Sequence, residues 1–347
     1  MLGRIKHLKI FAGDPDKKPL FKIIKECLHF GLLKKDLPVD YFRKFLYRTD
    51  VKNYQDYLSL KEHYGIIESP KMVFPEVSQI LQNKLSFKLI CINENLPVPK
   101  LISYNLKGWF LFNKKNKYIE NKKDLLFFYK HLFDHLQINK IFIKPIDGIG
   151  GFGCILLKKE SLETELNIFG DKLLNNSYLH EEYIEQHDQI NKIHPHAVNT
   201  LRMVHYIDRN QNVHILSTFM RFGVGKSIID NTSNGGFSIG VNNESGILEG
   251  IGRQEVSKGG ATFLVHPDTQ YKLNGFKIPF YEEACALVKD FAFYFPNRIV
   301  GWDIAITNSG PVIIEGNHNP GLHVSDINYG GYMKHPLIKE ILNEINQ

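Results

Sequence analysis

The stretch GWDIAITNSGPVIIEGNHNPG, residues 301–321, contains two runs rich in β-branched residues that are joined by Asn-Ser-Gly. This pattern predicts a β-hairpin, because β-branched side chains favour strands and a short segment with glycine favours a tight turn. A three-residue loop, residues 308–310, with the glycine in the left-handed conformation is a common hairpin closure. We expect that loop to pair Thr307 with Pro311.

This register places two carboxylates face to face. Asp303 lies opposite Glu315, and Asn317 lies on the same face, one pleat further along. Facing carboxylates on an apolar hairpin repel, and desolvation adds to that cost, so we expect positive charge between them. Mg²⁺ is one candidate, because it takes hard oxygen ligands. The alternative is a carboxylate pair that lysines or solvent neutralise at a strand end.

The chain is long enough to bury a large hydrophobic core. It has 347 residues, of which 43% are hydrophobic, and this length predicts two or three domains. The formal net charge is +6, and the basic excess is spread along the chain rather than gathered in a tract with interleaved aromatic residues. This distribution favours an anionic small-molecule ligand over a nucleic acid.

Cysteine spacing and hydropathy predict a cytoplasmic protein. Cys27, Cys91, Cys154 and Cys285 form no Cys-x-x-Cys pair, which favours reduced thiols and argues against a zinc knuckle or a disulfide framework. Basic residues interrupt every apolar run of residues 1–33, so this segment lacks a signal-peptide core. We expect no transmembrane segment, because no apolar run is long enough to span a bilayer.

The periodicity of apolar residues predicts an α+β protein with a mostly helical N-terminal region. Residues 1–82 carry apolar residues at helical spacing, interrupted by prolines. Further along we expect helices near residues 84–90, 125–136, 160–170 and 281–295, and strands near residues 108–112, 140–144, 154–157, 179–184, 200–207 and 214–222. The chain lacks regular strand–helix alternation, so we expect mostly antiparallel pairing.

A second stretch, IFIKPIDGIGGFGCI at residues 141–155, predicts a phosphate-binding turn. It contains Gly148, Gly150, Gly151 and Gly153, and glycines let backbone amides approach an anion without obstruction by β-carbons. The pattern is neither a Walker loop nor a dinucleotide fingerprint, since a strand follows it. It favours a strand–loop–strand flap over phosphates, with Lys144 as a point charge. The alternative is a flexible hairpin tip with an ordinary surface lysine.

Four motifs follow one another between residues 83 and 330: Asn83-Lys84 followed by LPVP at 96–99; Lys144-Pro145 with the glycines; HEEYIEQHD at 180–188; and Asp303, Glu315 and Asn317. In this order they resemble the ATP-grasp superfamily, and within it the sugar-transfer-associated branch. The resemblance implies an ATP-grasp fold in which two α+β subdomains clasp ATP. Residues 1–82 would be the helical region, 83–188 the small subdomain and 189–347 the large subdomain.

The resemblance implies ATP and Mg²⁺ as cofactors and assigns residues to each part of them. Lys84, Lys144, Gly148, Gly150, Gly151 and Gly153 would hold the phosphates; Glu181, with the backbone of Glu182, Tyr183 and Ile184, would hold adenine; Asp188 would hold the ribose; and Asp303, Glu315 and Asn317 would hold Mg²⁺.

Two positions depart from the family pattern. Family members place an arginine two residues before the magnesium aspartate, where it steadies an acyl phosphate, but this chain has Gly301 there. Arg202 or Arg221 would then supply the charge as a catalytic residue. Asp188 also replaces the usual glutamate, which shortens the reach to the ribose.

The activity implied is an ATP- and Mg²⁺-dependent carboxylate–amine or carboxylate–thiol ligase that forms an acyl phosphate. Its partners would be small-molecule carboxylate and amine substrates, such as a sugar acid or an amino acid in surface-polysaccharide biosynthesis. An ATP-dependent kinase that phosphorylates a sugar or polyol hydroxyl is the alternative, and a catalytically silent nucleotide-binding module is a third interpretation.

Polar, glycine-rich segments at residues 221–240 and 250–260 are interpreted as substrate loops. Within them we assign Arg253, Asn231, Gly235 and Gly236 to substrate binding, with Arg221 and Arg253 as carboxylate clamps. Plain turn chemistry is the alternative.

Four histidines could be ligands or contact residues: His194, His196, His318 and His323. Pro195, between His194 and His196, favours a surface loop over a metal site. His318 and His323 would contact the acceptor or have a structural role.

Overall fold

The computed structural model describes residues 10–148 and 150–347, and the chain divides into two compact units. The larger unit consists of the described part of Met1–Ser78 together with Gln186–Pro311 and Gly316–Gln347. The smaller unit consists of Gln79–Glu185 and Val312–Glu315. The predicted α+β class and the helical N-terminal region are confirmed. The division at residues 82 and 188 stays a prediction.

The helices are α1 (Leu20–Lys34), α2 (Val39–Arg43), α3 (Leu60–Ile67), α4 (Pro75–Gln82), α5 (Lys84–Asn93), α6 (Lys122–Leu136), α7 (Leu162–Asn175), α8 (Asp188–Asn191), α9 (Tyr281–Tyr294), α10 (Leu322–Tyr329) and α11 (Pro336–Asn346). The strands are β1 (Leu101–Leu106), β2 (Trp109–Phe112), β3 (Lys115–Tyr118), β4 (Lys140–Pro145), β5 (Ile155–Lys158), β6 (Tyr178–Glu182), β7 (Leu201–Ile207), β8 (Val213–Phe222), β9 (Phe237–Val241), β10 (Leu248–Gln254), β11 (Thr262–Phe263), β12 (Ile299–Thr307) and β13 (Gly310–Asn317).

The smaller unit is built on a six-stranded antiparallel sheet in the order β3-β2-β1-β6-β4-β5. Leu125, Tyr129 and Phe133 recur at helical spacing on α6 and belong to the buried core of this unit. Asn121 ends the preceding segment and caps α6, because its side-chain oxygen accepts a hydrogen bond from the Asp124 amide at 3.0 Å. The core and this cap explain why α6 begins and packs where it does.

The larger unit contains a seven-stranded sheet in the order β11-β10-β9-β8-β7-β12-β13. Strand β12 is buried along almost its whole length, which explains why its sequence is mostly apolar. Trp302 on this strand packs against Phe291 and Phe295 at the end of α9. The core therefore fixes β12, the strand that also carries Asp303.

The hairpin turn is shorter than the predicted one. Strand β12 ends at Thr307 and β13 begins at Gly310, which leaves Asn308 and Ser309 between them. Gly310 has the predicted positive φ, at 126°, and its carbonyl accepts a hydrogen bond from the Thr307 hydroxyl at 2.9 Å. The pairing of Asp303 with Glu315 stays a prediction.

Two strands lie where the sequence predicted glycine-rich substrate loops. Strand β9 reads FSIGV and β10 reads LEGIGRQ, and the glycines of β10 coincide with an irregular register between Glu249 and Arg253. Glycine weakens the strand pattern and often marks a bulge, which is why both strands were missed. The sequence also did not predict β1, β3, β11, α10 or α11.

The N-terminal helical region is joined to the rest of the larger unit through a buried ion pair. Residues 1–9 of that region lie outside the described residues. The Lys44 ammonium lies 2.7 Å from the Asp326 carboxylate on α10, and both side chains are fully buried. Asp326 also accepts hydrogen bonds from the backbone amides of Leu58 at 2.9 Å and Tyr332 at 2.6 Å. One carboxylate thus joins three segments of the chain.

Among the described residues, no helix combines the length and the apolar character that crossing a lipid bilayer requires.

We predict that Asp326→Ala lowers the free energy of unfolding by about 2–3 kcal/mol, because two buried amides lose their acceptor and Lys44 keeps only the Asp40 carboxylate at 3.3 Å and the Leu58 carbonyl at 2.6 Å. Urea unfolding followed by circular dichroism measures this change. Asp171→Ala is the matched control, since its pair with Lys122 is exposed and worth less than about 1 kcal/mol. Equal effects of the two substitutions would contradict the prediction.

Candidate functional site

In the smaller unit, a buried carboxylate lies between two lysines. The sheet register places Lys144 of β4 opposite Leu179 of β6, so Lys144 and Glu181 share one face. The Glu181 carboxylate lies 2.7 Å from the Lys144 ammonium and 2.7 Å from that of Lys88 on α5. Glu181, predicted to hold adenine, is therefore an ionic partner of the central lysine.

The pKa values in this cluster favour the charged forms of Lys144 and Glu181. Burial by itself lowers the pKa of the Lys144 ammonium, but the Glu181 and Glu315 carboxylates raise it overall. Burial likewise raises the pKa of Glu181, but Lys144 and Lys88 lower it overall. Burial lowers the pKa of Lys88. Lys144 therefore remains a cation inside the protein.

Lys88 was missed by the sequence reasoning, although a signal for it exists. It lies four residues after Lys84 on α5, so both side chains leave the same face of the helix. The Lys88 ammonium also donates a hydrogen bond to the Pro99 carbonyl at 2.7 Å.

Lys84 lies beside the glycine turn and beside Glu315. Its ammonium donates a hydrogen bond to the Gly148 carbonyl and lies 3.5 Å from the Glu315 carboxylate. The Lys144 ammonium donates a hydrogen bond to the Ile314 carbonyl at 3.3 Å. Within the smaller unit, both predicted phosphate lysines therefore contact the strand segment Val312–Glu315.

The glycine turn adopts the backbone conformation that its sequence predicts. Gly150, Gly151 and Gly153 have φ values of 72°, 73° and 79°, which other residues adopt only at a cost. Ile149 lies outside the described residues. The phosphate-binding role of the turn stays a prediction.

In the larger unit, a buried carboxylate lies between two arginines. Arg202 on β7 is directly opposite Asp303 on β12, and Arg221 lies on the neighbouring strand β8. The Arg202 guanidinium contacts both Asp303 oxygens, with one Nη2–Oδ2 distance of 3.1 Å, and Arg221 Nη2 lies 2.9 Å from Oδ2. Both arginines of the sequence prediction therefore converge on Asp303.

Gly301 is the position that admits Arg202. A β-carbon at Gly301 would lie 3.0 Å from Arg202 Cδ and 2.8 Å from Pro320 Cβ, closer than packed carbon atoms approach. Arg202 also donates a hydrogen bond to the Pro320 carbonyl at 2.8 Å. The side chain of Arg202 thus occupies the space beside Gly301, where the family pattern has an arginine.

A further acid and a hydroxyl hold Arg221. Its Nε lies 3.0 Å from the Thr200 hydroxyl and 3.4 Å from the Asp230 carboxylate. Asp230 in turn accepts a hydrogen bond from the Thr200 amide at 2.8 Å. Burial raises the pKa of Asp230 although Arg221 is close by. Arg221 is therefore held by Asp303 on one side and by Thr200 and Asp230 on the other.

These contacts correct the sequence argument for a cation beside Asp303. Burial by itself raises the pKa of Asp303, but the guanidinium groups of Arg202 and Arg221 hold it well below its ordinary value of 3.8. The positive charge that a buried carboxylate needs is therefore supplied by protein side chains. The assignment of Asp303, Glu315 and Asn317 to Mg²⁺ stays a prediction.

The residues predicted to hold adenine and the ribose lie at the end of β6 and in the segment that follows it. Glu182 accepts a hydrogen bond from the Lys100 amide at 2.8 Å, and the Tyr183 ring lies 4.6 Å from the Lys140 ammonium. Ile184 is half-buried. Asp188 is exposed at the start of α8, and its amide donates a hydrogen bond to the Asn308 side chain at 3.1 Å. Their roles stay predictions.

The predicted substrate residues form a compact turn and a strand. Asn231 accepts a hydrogen bond from the Ser233 amide at 2.9 Å, and Gly235 has a φ of 101°. A β-carbon at Gly236 would meet the Asp230 carbonyl oxygen at 2.5 Å, so only glycine fits there. These contacts hold the turn in its conformation, so Asn231, Gly235 and Gly236 have a structural role.

Arg253 lies on β10 rather than in a loop, and it borders a pocket. Its guanidinium pairs with Asp50, while its Nη1 atom is buried without a hydrogen-bond partner among the described residues. The pocket has a volume of about 120 Å³ and is lined by residues that include Arg43, Arg253 and His323.

The structure overturns the surface-loop prediction for His194, which is fully buried, whereas His196 is exposed. Burial, with Arg43 and other cations nearby, lowers the pKa of His323 to about 3, so this histidine is neutral. Burial also lowers the pKa of His318.

Comparison with known protein families matches residues 69–341 to the family described as sugar-transfer associated ATP-grasp. The protein therefore has an ATP-grasp fold, and it belongs to the sugar-transfer-associated ATP-grasp family.

No curated protein matches the sequence. Among solved structures, D-alanyl-alanine synthetase A from Vibrio cholerae O1 biovar eltor is similar at 14% identity and a TM-score of 0.46, over 79% of this chain and 68% of that chain. The ATP-grasp ligase PsnB with a minimal precursor is similar at 13% identity and a TM-score of 0.43, over 80% and 63% respectively. D-Alanine–D-alanine ligase from Bacillus anthracis is similar at 14% identity and a TM-score of 0.43, over 78% and 68%.

We predict that Asp303→Asn loses thermal stability relative to the wild type above pH 5 and that this loss shrinks as the pH falls below about 4. The sign follows because the folded pKa of Asp303 is depressed, so the ionised group stabilises the fold above its ordinary pKa and ceases to do so in acid. Melting temperatures of both proteins between pH 3 and 8 measure the effect. A difference that stays constant down to pH 3 would contradict it.

Proposed function

We propose that the protein is an ATP- and Mg²⁺-dependent carboxylate–amine ligase that works through an acyl phosphate. Family membership supports an ATP-dependent ligase in general. The observation that supports the finer assignment is the pair of buried arginines on Asp303, because such a cluster suits negative charge that develops on a carboxylate and on a transferred phosphoryl group. The class of substrate we propose is a sugar acid or an amino acid.

The cationic side chains of the smaller unit would hold the nucleotide phosphates. Lys144 is buried and kept charged by its carboxylate neighbours, and Lys84 lies beside the glycine turn. Backbone amides in a glycine-rich turn favour anions, so the turn adds to this binding. Mg²⁺, for which Asp303 and Asn317 of the larger unit offer oxygen ligands, would neutralise charge on the phosphate oxygens.

The electrostatics of Asp303 favour a ligase over a sugar kinase. A substrate carboxylate is already ionised and needs no base to attack the γ-phosphorus, whereas a sugar hydroxyl needs a group that takes its proton. Two guanidinium groups hold the pKa of Asp303 low, which makes this carboxylate a weak base. In the ligase reaction the acid attacks ATP and releases ADP, and an amine then displaces phosphate from the acyl phosphate.

The pocket beside Arg253 is a candidate site for the substrate acid. Arg43 and Arg253 line it, His323 is neutral, and the buried Nη1 atom of Arg253 has no hydrogen-bond partner among the described residues. A cavity of about 120 Å³ suits a carboxylate-bearing group of a few heavy atoms rather than a polymer. The N-terminal region, which supplies Arg43, would thus take part in substrate binding.

A phosphate-release screen with ATP and Mg²⁺ tests the proposal across sugar acids, amino acids and amines. We predict phosphate release only when an acid and an amine are both present, and a loss of at least about 100-fold in kcat/KM in Arg202→Gln. Arg209→Gln is the matched control, since Arg209 is exposed and pairs only with Glu344 at 3.3 Å among the contacts of the described residues.

Formation of ADP with a phosphorylated sugar and no free phosphate would identify a kinase instead. Equal rates in the Arg202→Gln and Arg209→Gln variants would show that the buried Arg202 has no role in the reaction.

A further inference from the structure

A cluster of two histidines and one aspartate lies in the larger unit, apart from Asp303 and its arginines. His194 follows α8, and His266 and Asp268 lie between β11 and α9. Both imidazoles are fully buried, while the Asp268 side chain is one-third exposed. The histidines are therefore shielded from solvent, whereas the Asp268 side of the cluster is open to it.

The side chains converge at distances close to those of a metal site. His194 Nδ1 lies 3.6 Å from Asp268 Oδ2, and His266 Nδ1 lies 3.9 Å from the same oxygen. One ligand atom from each of the three residues can be chosen so that all three lie within 4.8 Å of one another. Ligands of a tetrahedral Zn²⁺ site lie about 3.4 Å apart when each bond is about 2.0–2.1 Å. Each histidine would move about half an ångström or less toward Asp268, and the ligand atoms that are up to 4.8 Å apart would close by up to about 1.4 Å.

Hydrogen bonds fix His266 in the tautomer that a metal requires. Its Nε2 atom lies 3.0 Å from the Gly223 carbonyl, so Nε2 carries the proton and donates it. The Asp268 amide donates a long hydrogen bond of 3.3 Å to Nδ1, which shows that Nδ1 carries the lone pair, and a metal at Nδ1 would replace this bond. The Asp268 carboxylate is itself oriented by the Gly225 amide at 2.7 Å. Such outer contacts are typical of metal-binding histidines and carboxylates.

No hydrogen bond among the described residues compensates for the burial of the two ring nitrogens of His194. Neither of its ring nitrogens has a hydrogen-bond partner there, and a buried unsatisfied polar atom costs about 1–3 kcal/mol. Its ring stacks on that of His266, with 4.7 Å between centroids and 23° between planes.

We propose that His194, His266 and Asp268 bind one borderline divalent transition metal of the Zn²⁺ class. Two imidazoles and a carboxylate match the ligand preference of Zn²⁺ and Co²⁺, whereas Mg²⁺ prefers oxygen ligands alone. Asp268 lies on the exposed side, so solvent supplies the remaining coordination position.

The metal would brace the ends of the strands that carry the two arginines. Gly223, whose carbonyl holds His266, directly follows β8 and donates a hydrogen bond to the Asn199 side chain at 3.1 Å. Asn199 Nδ2 donates to the His194 carbonyl at 2.8 Å. Asn199 also precedes Thr200, which contacts Arg221. The site therefore has a structural role that does not depend on the proposed ligase activity.

The test uses the full-length protein after treatment with EDTA and dialysis. Calorimetric titration with Zn²⁺ should show saturable binding at one equivalent, and Co²⁺ should give visible absorption bands of a tetrahedral site. His194→Ala and Asp268→Asn should each weaken binding by at least about tenfold. Asp268→Asn changes an exposed group, so it keeps the test decisive where His194→Ala fails to fold.

His135→Ala is the matched control. It disrupts the pair of His131 and His135, which stack on the exposed face of α6 with 5.8 Å between ring centroids and form a competing candidate for metal binding. The control should bind Zn²⁺ as the wild type does. Absence of saturable binding in the wild type, or loss of binding in His135→Ala with retention in Asp268→Asn, would overturn the proposal.

Discussion

The charge of the buried Asp303 carboxylate has to be balanced inside the protein, and Arg202 and Arg221 balance it. An unpaired buried charge would destabilise the fold by several kcal/mol, so the register of β7, β8 and β12 must bring these three side chains together. The small residue at Gly301 leaves the space through which Arg202 reaches Asp303. The fold therefore holds a fixed pair of cations on Asp303.

The smaller unit contains the same arrangement of one buried carboxylate between two cations. One carboxylate, Glu181, lies between the ammonium groups of Lys144 and Lys88, and burial alone would neutralise the lysines. Each unit thus holds a preformed ionic cluster that needs little reorganisation when a charged ligand binds, which is the condition under which fixed charges contribute most to catalysis.

The sequence predicted the helices and strands whose apolar residues recur with a single period, such as α6 and β12, and it predicted the residues that the glycine turn requires. It could not predict which arginine reaches Asp303, because the register of strands distant in sequence decides that contact. It also placed His194 at the surface, since the burial of His194 depends on the loop that carries His266. The sequence did not predict β10, because its glycines interrupt the strand pattern and allow an irregular register.

The turnover rate of Gly301→Ala, measured by phosphate release with the nucleotide affinity alongside, tests most directly whether the path of Arg202 past Gly301 is essential. An alanine β-carbon would lie 2.8 Å from Pro320 Cβ and 3.0 Å from Arg202 Cδ, so the Pro320 segment and the Arg202 side chain that donates to its carbonyl must shift. The account predicts a fall in kcat of at least about tenfold with ATP affinity unchanged, because a small displacement of a positioning group has a large effect on rate. A folded Gly301→Ala protein with the wild-type kcat would contradict it.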